Sequence, residues 1–363
     1  MASSYGQAGS TIKLVSLLQG TEYVITSLAD VIEFQKKYQK QYDALKEKAK
    51  VDLAASIASL ESEIAQKSIE YTQHLADKKI ELSQELEKLK TELPLLQKKE
   101  ENFFKNLIQK VRYYFANSRK TYLDHNIENE AKRIFRNDEL SIVDEQKELE
   151  DKKTNTDTWV EKLTQEYTAQ LQWVQKTIQT NTPLFLDAQS EEAVIEKLSG
   201  LPEPYVIINN YAKKFYKPLQ RKETNEWVSS ALIDHIVIGP TGLFCIDTKY
   251  WEHEHMGPSD VALSAKELVS SDFVLRTILN QAAYQGDLPP FRINGVPVTI
   301  TPKNIVLLMN TSIVEPIDTV SVHTIDTISD ALVKGDTIFA PDAIECLKSF
   351  LLNKDNTTGY QSI

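Results

Sequence analysis

Two cysteines, Cys245 and Cys346, are all that the 363 residues contain. So few thiols exclude a disulfide framework and suit a reducing interior, so a cytoplasmic location is expected. Long apolar runs are missing too. Nothing approaches the roughly 18 consecutive apolar residues of a membrane-spanning helix, so no span is expected. The opening stretch, Met1 to Ser10, is small and polar and lacks the basic and apolar regions of a secretory signal. No Walker A glycine–lysine motif occurs, so any energy source would come from a partner. A surplus of positive charge is also absent. The net charge is −11, with 27 Lys+Arg against 29 Asp+Glu in residues 1–180 and 14 against 23 in residues 181–363. An acidic second half is a poor passive binder of nucleic acid, where Lys/Arg neutralisation of phosphate supplies most non-specific affinity. It is less awkward for a metal-dependent nuclease, whose carboxylates must first gather cations.

Glycine and proline are almost absent from one half of the chain. Between Thr11 and Thr180 only Gly20 and Pro94 occur, while Lys, Glu, Gln, Leu and Ala dominate. That composition predicts helix nearly throughout. An apolar or bulky seam at spacings of three and four runs through Tyr38, Tyr42, Leu45, Ala49, Leu53, Ile57, Leu60 and Ile64. It lapses at Lys67, resumes at Tyr71 and Leu75, and continues from Leu82 to Leu96. The pattern is that of a coiled coil with phase slips, either folded back into antiparallel hairpins or extended as a dimerising stalk. Pro94 predicts a kink or a helix end near Glu92–Leu93. Asn102 to Asn137 interleaves aromatics with basic residues; helix-on-helix packing is the expected use, a nucleic-acid surface the other.

At Asn181-Thr-Pro the composition shifts, which places a domain boundary at 180/181. Ser190 reads as the N-cap of a helix with Glu191 and Glu192 in its first turn, running to Leu198 and stopping at Gly200. Strands are predicted at 205–210, 232–238, 243–250, 304–310 and 320–324, and helices at 271–284, 329–334 and 341–352. The fold class that follows is α+β: a long helical amino-terminal half (1–180), then an α/β domain (181–363) with a mixed sheet flanked by helices.

The chemistry concentrates in Leu232-Ile-Asp-His-Ile-Val-Ile-Gly-Pro-Thr-Gly-Leu-Phe-Cys-Ile-Asp-Thr-Lys249. Two apolar strands flank a Gly-Pro-Thr-Gly turn. A hairpin without a bulge sets Ile238 opposite Leu243 and Asp234 opposite Asp247, with Cβ atoms about 4.5–5.5 Å apart on one face. Lys249 shares that face. Two opposed carboxylates among apolar neighbours repel at a raised cost, which a divalent cation between them would remove. Mg²⁺, held by one or two carboxylates, waters and phosphate oxygens, suits such a pair. An ordinary exposed acidic strand end, with Lys249 paired to Asp247, is the plainer alternative. His235 alternates to the opposite face and is expected in the core.

Asp234-His-Ile-Val-Ile-Gly-Pro-Thr-Gly-Leu-Phe-Cys-Ile-Asp-Thr-Lys249 closely resembles the central motif of the nuclease-related domain (NERD), a branch of the PD-(D/E)xK nuclease superfamily. The resemblance covers roughly residues 185–335, about 40% of the chain. It takes in the acidic helix Ser190–Leu198 and a Gln-bearing stretch at Asn280-Gln-Ala282. Asp247 departs from the usual Glu, and Tyr211–Val228 resembles an insertion. What the resemblance implies is a Mg²⁺- or Mn²⁺-dependent endonuclease acting on DNA, with RNA the other candidate substrate. Asp234 and Asp247 would ligate the metal with the Thr248 carbonyl. Glu191 or Glu192, the latter preferred, would complete the acidic set. Lys249 would position the attacking water and stabilise developing charge, and Gln281 would brace the site.

His253-Glu-His255 lacks a third ligand at a recognised spacing and reads as a solvent loop. Lys213, Lys214, Lys217, Arg221 and Lys222 form the main basic cluster of the acidic half, a candidate flexible loop on DNA phosphates. The helical half is expected to form a homo-oligomer, or to receive a trigger or protein activator; restriction-like or anti-phage defence is the biological analogy. The rival reading is a non-catalytic coiled-coil scaffold, or a nucleic-acid-binding protein that keeps a nuclease-like fold.

Overall fold

Ser27 and Asp30 show how the longest helix begins. The backbone N–H groups of Thr26 and Ser27 each donate to Asp30 Oδ2 at 2.9 Å, and Asp30 N–H donates back to Ser27 Oγ at 3.2 Å. This reciprocal capping box satisfies donors that a helix start leaves open. The computed structural model describes residues 1–97, 103–221, 224–250, 266–279 apart from 267, 274 and 278, 292–293, 296–297, 299–309, 320–352 and 360–361. Within it the chain forms two units, residues 39–169 and residues 1–38 with 170–363.

In the first of these units, α2 (Leu28–Leu96) is met by α3 (Phe103–Ile134), α4 (Arg136–Thr154) and α5 (Thr156–Thr180). Partners fall progressively further back along α2 as the chain advances. Arg119 reaches Glu85 at 3.0 Å, Glu145 reaches Lys67 at 2.5 Å, and Tyr167 Oη donates to Asp52 at 2.8 Å. The helices are therefore antiparallel, and the apolar seam is spent inside the chain: Leu82 and Leu86 cluster with Leu123 and Ala131. Of the two arrangements open to the sequence, the folded-back hairpin is the one formed. Helix fills most of residues 9–180 among those described, as expected, with a break after α1 (Gly9–Leu17) at Gly20, whose φ is +86°. One expectation shifts: Pro94 lies inside α2, which ends at Leu96 and not near Glu92–Leu93.

The other unit is built on a mixed sheet of order β1-β2-β3-β4-β7-β8, with β9 (Tyr360–Gln361) also pairing β2. Its strands are β1 (Ser3–Tyr5), β2 (Val206–Arg221), β3 (Glu226–Gly239), β4 (Gly242–Lys249), β7 (Lys303–Leu308) and β8 (Ser321–Thr324). A separate two-residue ladder joins β5 (Arg292–Ile293) and β6 (Val296–Pro297). The β2–β3–β4 ladders are antiparallel and the β4–β7–β8 ladders parallel. On one face Val194 and Leu198 of α6 (Thr182–Ser199), with Ile328 and Leu332 of α8 (Ile328–Val333), cover Val237, Phe244 and Ile246. On the other, Leu275 of α7 (helical at 268–273, 275–277 and 279) and Leu347 of α9 (Pro341–Leu352) cover Ile236, Ile238 and Cys245.

Three further expectations change. The boundary between the units does not fall at 180, because β1 pairs with β2 in parallel and α1 packs against α6, so residues 1–38 join the sheet unit. Helix α6 begins at Thr182, with proline in its first turn, where a missing N–H costs nothing. Ser190 is thus mid-helix, its hydroxyl donating to the Leu186 carbonyl at 2.9 Å. The insertion-like 211–228 is no loop: β2 and β3 stay paired out to Arg221 and Glu226, with one register shift between Lys214 and Leu219.

The β3–β4 turn is pinned from below. Tyr205 Oη lies 2.9 Å from Thr241 Oγ1 and donates to the Leu332 carbonyl at 3.1 Å. A Cβ on Gly239 would stand 2.1 Å from Tyr205 Cε1. Gly239→Ala should therefore destabilise the protein by about 1–3 kcal/mol through forced displacement of a buried ring. Chemical denaturation of the two forms checks this, and equal midpoints would show that the ring moves freely.

Candidate active site

The observed β3–β4 register pairs Ile238 with Leu243, Ile236 with Cys245 and His235 with Ile246. The paired ladder ends there, and just beyond it Asp234 and Asp247 come close enough for the charge of Asp247 to act on Asp234. Asp234, Asp247, Thr248 and Lys249 line one cleft of about 620 Å³. Asp234 Oδ2 accepts from the Thr248 N–H at 2.8 Å, which ties the acid of β3 to the backbone of β4. Lys249 Nζ lies 3.2 Å from Asp247 Oδ2.

Burial, and next the charge of Asp247, push Asp234 up to about 7; the Thr248 N–H and Lys249 oppose that rise. An acid so placed sits near its titration point at neutral pH, as expected of a carboxylate that awaits a cation or a proton. His235 behaves as a core residue. It is fully buried, its Nδ1 lies 2.9 Å from Asn209 Oδ1, and burial depresses it to about 3.

The acids of α6 separate. Glu191 lines the cleft, whereas Glu192 is bonded by Thr11 Oγ1 at 3.0 Å and is not among the cleft-lining residues. The preference for Glu192 is thereby reversed in geometry: on a helix, neighbouring residues point about 100° apart, and Glu191 takes the inward direction. Glu191 is also engaged. Ser10 donates to it from its N–H at 3.2 Å and from its hydroxyl at 2.6 Å, so its carboxylate caps the start of α1. Burial and then the charge of Asp234 raise its pKa. The cleft also takes in residues that the sequence motif does not point to, among them Ser10, Lys13, Asp187, Asn210 and Lys266. Asp187 lies one turn before Glu191, and burial raises its pKa while Lys249 opposes that rise. Starting α6 at Thr182-Pro183 would have brought Asp187 into view.

The basic cluster is not a cationic loop. Lys213 is buried within β2, where desolvation lowers its pKa, and Arg221 is half-buried at the end of that strand. Lys214 and Lys217 also lie on β2. Lys222, Gln281 and the stretch His253-Glu-His255 lie outside the described residues.

The donor set fits a hard divalent cation. Asp234 and Asp247 supply carboxylate oxygens whose charges repel each other without one. Among the described residues no three His, Cys, Asp or Glu side chains gather as a metal-holding group.

Residues 186–282 match the family model NERD, Nuclease-related domain, and the long helical region precedes that match. The chain therefore carries a nuclease-related domain. No curated protein and no solved structure matches the chain.

The raised pKa of Asp234 makes a signed prediction about stability. Ionising it in the fold is unfavourable, so the penalty is complete above about 7, shrinks as pH falls, and is gone below the ordinary value of 3.8. In metal-free buffer Asp234→Asn should melt above wild type at about pH 8, by roughly 1–3 kcal/mol, and should lose that advantage by about pH 4. Thermal melts across that range check it. A difference independent of pH would mean that the acid pair is solvated.

Proposed function

We propose that the domain is a Mg²⁺- or Mn²⁺-dependent endonuclease that hydrolyses phosphodiester bonds in DNA. The observation that carries this reading is the convergence of Asp234 and Asp247, from the ends of β3 and β4, with Lys249 in one cleft. The nuclease-related match over the same residues supports it. Asp234, Asp247 and the Thr248 carbonyl would hold the cation, which when bound acts as a Lewis acid on the phosphoryl oxygens.

The other roles belong to the chain's own groups. Lys249 is the cation nearest the acid pair and places positive charge where negative charge builds up on the phosphoryl oxygens. Asp247, 3.2 Å from its ammonium, holds that side chain toward the cleft. The Thr248 N–H fixes the rotamer of Asp234. Glu191, anchored by Ser10, adds a carboxylate at the cleft wall. Self-association through the helical seam has no part in this proposal, because that seam is buried within the chain.

Supercoiled plasmid with Mg²⁺ or Mn²⁺ should be nicked by wild type and spared in EDTA. Asp247→Ala and Lys249→Ala should each lower the rate by about 100-fold or more. Glu191→Gln should cost activity where Glu192→Gln does not. Equal rates for wild type and the Asp247 and Lys249 variants would remove the reading; no cleavage together with no metal binding would favour the scaffold.

A further inference from the structure

Helix α3 turns the wrong face outward. Asn106, Gln109, Tyr113, Ala116 and Lys120 recur at helical spacing on its half-buried side, where Gln97 Nε2 donates to Tyr113 Oη at 2.8 Å. The opposite side is apolar and open to solvent. Phe103 is 75% exposed, Leu107 52%, Ile108 54%, Val111 49%, Tyr114 71% and Phe115 68%. At 3.6 residues per turn these six fall within an arc of about 140°. A contiguous apolar patch above a few hundred Å² on a soluble protein marks a surface that something else covers. The expected helix-on-helix packing holds for Tyr113, Leu123, Ala131 and Phe135, whereas the solvated face is apolar where polar residues would suit water.

The charges say what kind of partner fits. From Asn102 to Leu123 there are five Lys or Arg and no Asp or Glu, in a chain whose net charge is −11. On the helical wheel Lys110 borders one edge of the apolar arc, and Arg112 and Lys105 border the other. Two copies of this face would bring like charges together. The aliphatic members, Leu107, Ile108 and Val111, offer no π-face on which a base could stack. An apolar arc rimmed by long cationic side chains suits a boundary that is hydrocarbon inside and anionic at its surface.

We propose that this face of α3 docks onto an anionic lipid surface, with the apolar arc in the acyl boundary and Lys105, Lys110 and Arg112 among the headgroups. The helix lies on the membrane and does not cross it: no helix among the described residues is long and apolar enough to span one. The inference is independent of the nuclease reading, since all these residues lie on α3, outside the matched domain.

Flotation of the full chain with vesicles tests it. Vesicles of phosphatidylcholine with phosphatidylglycerol should carry wild type upward at least about tenfold better than vesicles of phosphatidylcholine alone. The double substitution Leu107→Asp with Phe115→Asp should abolish flotation, and so should Lys105→Glu with Arg112→Glu. Every changed side chain is exposed, so circular dichroism should show unchanged helicity, and plasmid nicking should be unaffected. Wild type that stays unbound with both vesicles overturns the proposal, as does flotation that survives both double substitutions. If vesicles are not bound, a dimer in light scattering that Leu107→Asp with Phe115→Asp dissolves assigns the face to a second copy. Binding of a single-stranded oligonucleotide lost in the same variants would assign it to nucleic acid.

Discussion

Everything at the candidate site depends on the register of one β-hairpin. The ladder between β3 and β4 closes at Gly239 and Gly242, and each pair counted back from that turn is fixed by it. A slip of one residue would send Asp247 to the far face and leave Asp234 opposed by an apolar side chain. The turn is held by more than its own geometry. Tyr205 fills the space that a side chain at position 239 would need, and its hydroxyl ties Thr241 to the end of α8. Sheet packing on both faces then makes the hairpin rigid, since Ile236, Ile238 and Cys245 are buried on one side and Val237, Phe244 and Ile246 on the other. The carboxylate pair costs the fold free energy, and this rigidity is what keeps the two acids from moving apart.

The amino-terminal segment adds a second layer to that site from far away in the chain. Ser10 and Glu191 are 181 residues apart, yet their contact fixes an acid at the cleft wall and caps α1 at the same time. Gly6 and Gly9 are what allow the approach. A Cβ at either would lie within 2.7 Å of Asn209 or Asn210 atoms, and Gly6 has a φ of +83°. The matched stretch, residues 186–282, thus does not contain the whole cleft, because Gly9, Ser10 and Lys13 come from outside it.

How much of this was legible follows from which interactions are local. The Gly-Pro-Thr-Gly turn sets its own register, so Asp234, Asp247 and Lys249 could be placed together from sequence. His235 could be assigned to the core by alternation alone. Glu191 and Glu192 could not be told apart, because adjacent positions on one helix differ only in what each one faces, and that partner is Ser10. A three-residue strand such as β1 carries too little pattern to be seen. The 211–221 stretch hides its strand character behind lysines and Pro218, so its sequence suggests a cationic loop where Lys213 is buried in a strand. On α3 the apolar positions were visible, but not the fact that the helix presents its polar side to its neighbour.

The central claim is that Asp234 and Asp247 form a cation site, and calorimetric titration with Mn²⁺ addresses it without requiring cleavage. Wild type should bind, more tightly at about pH 8 than at about pH 6, because Asp234 must lose a proton near 7 before it can ligate. Asp234→Asn and Asp247→Asn should each remove that binding while leaving the fold intact. Undiminished Mn²⁺ binding in both variants would contradict the account, since the pair would then be an acidic strand end and nothing more.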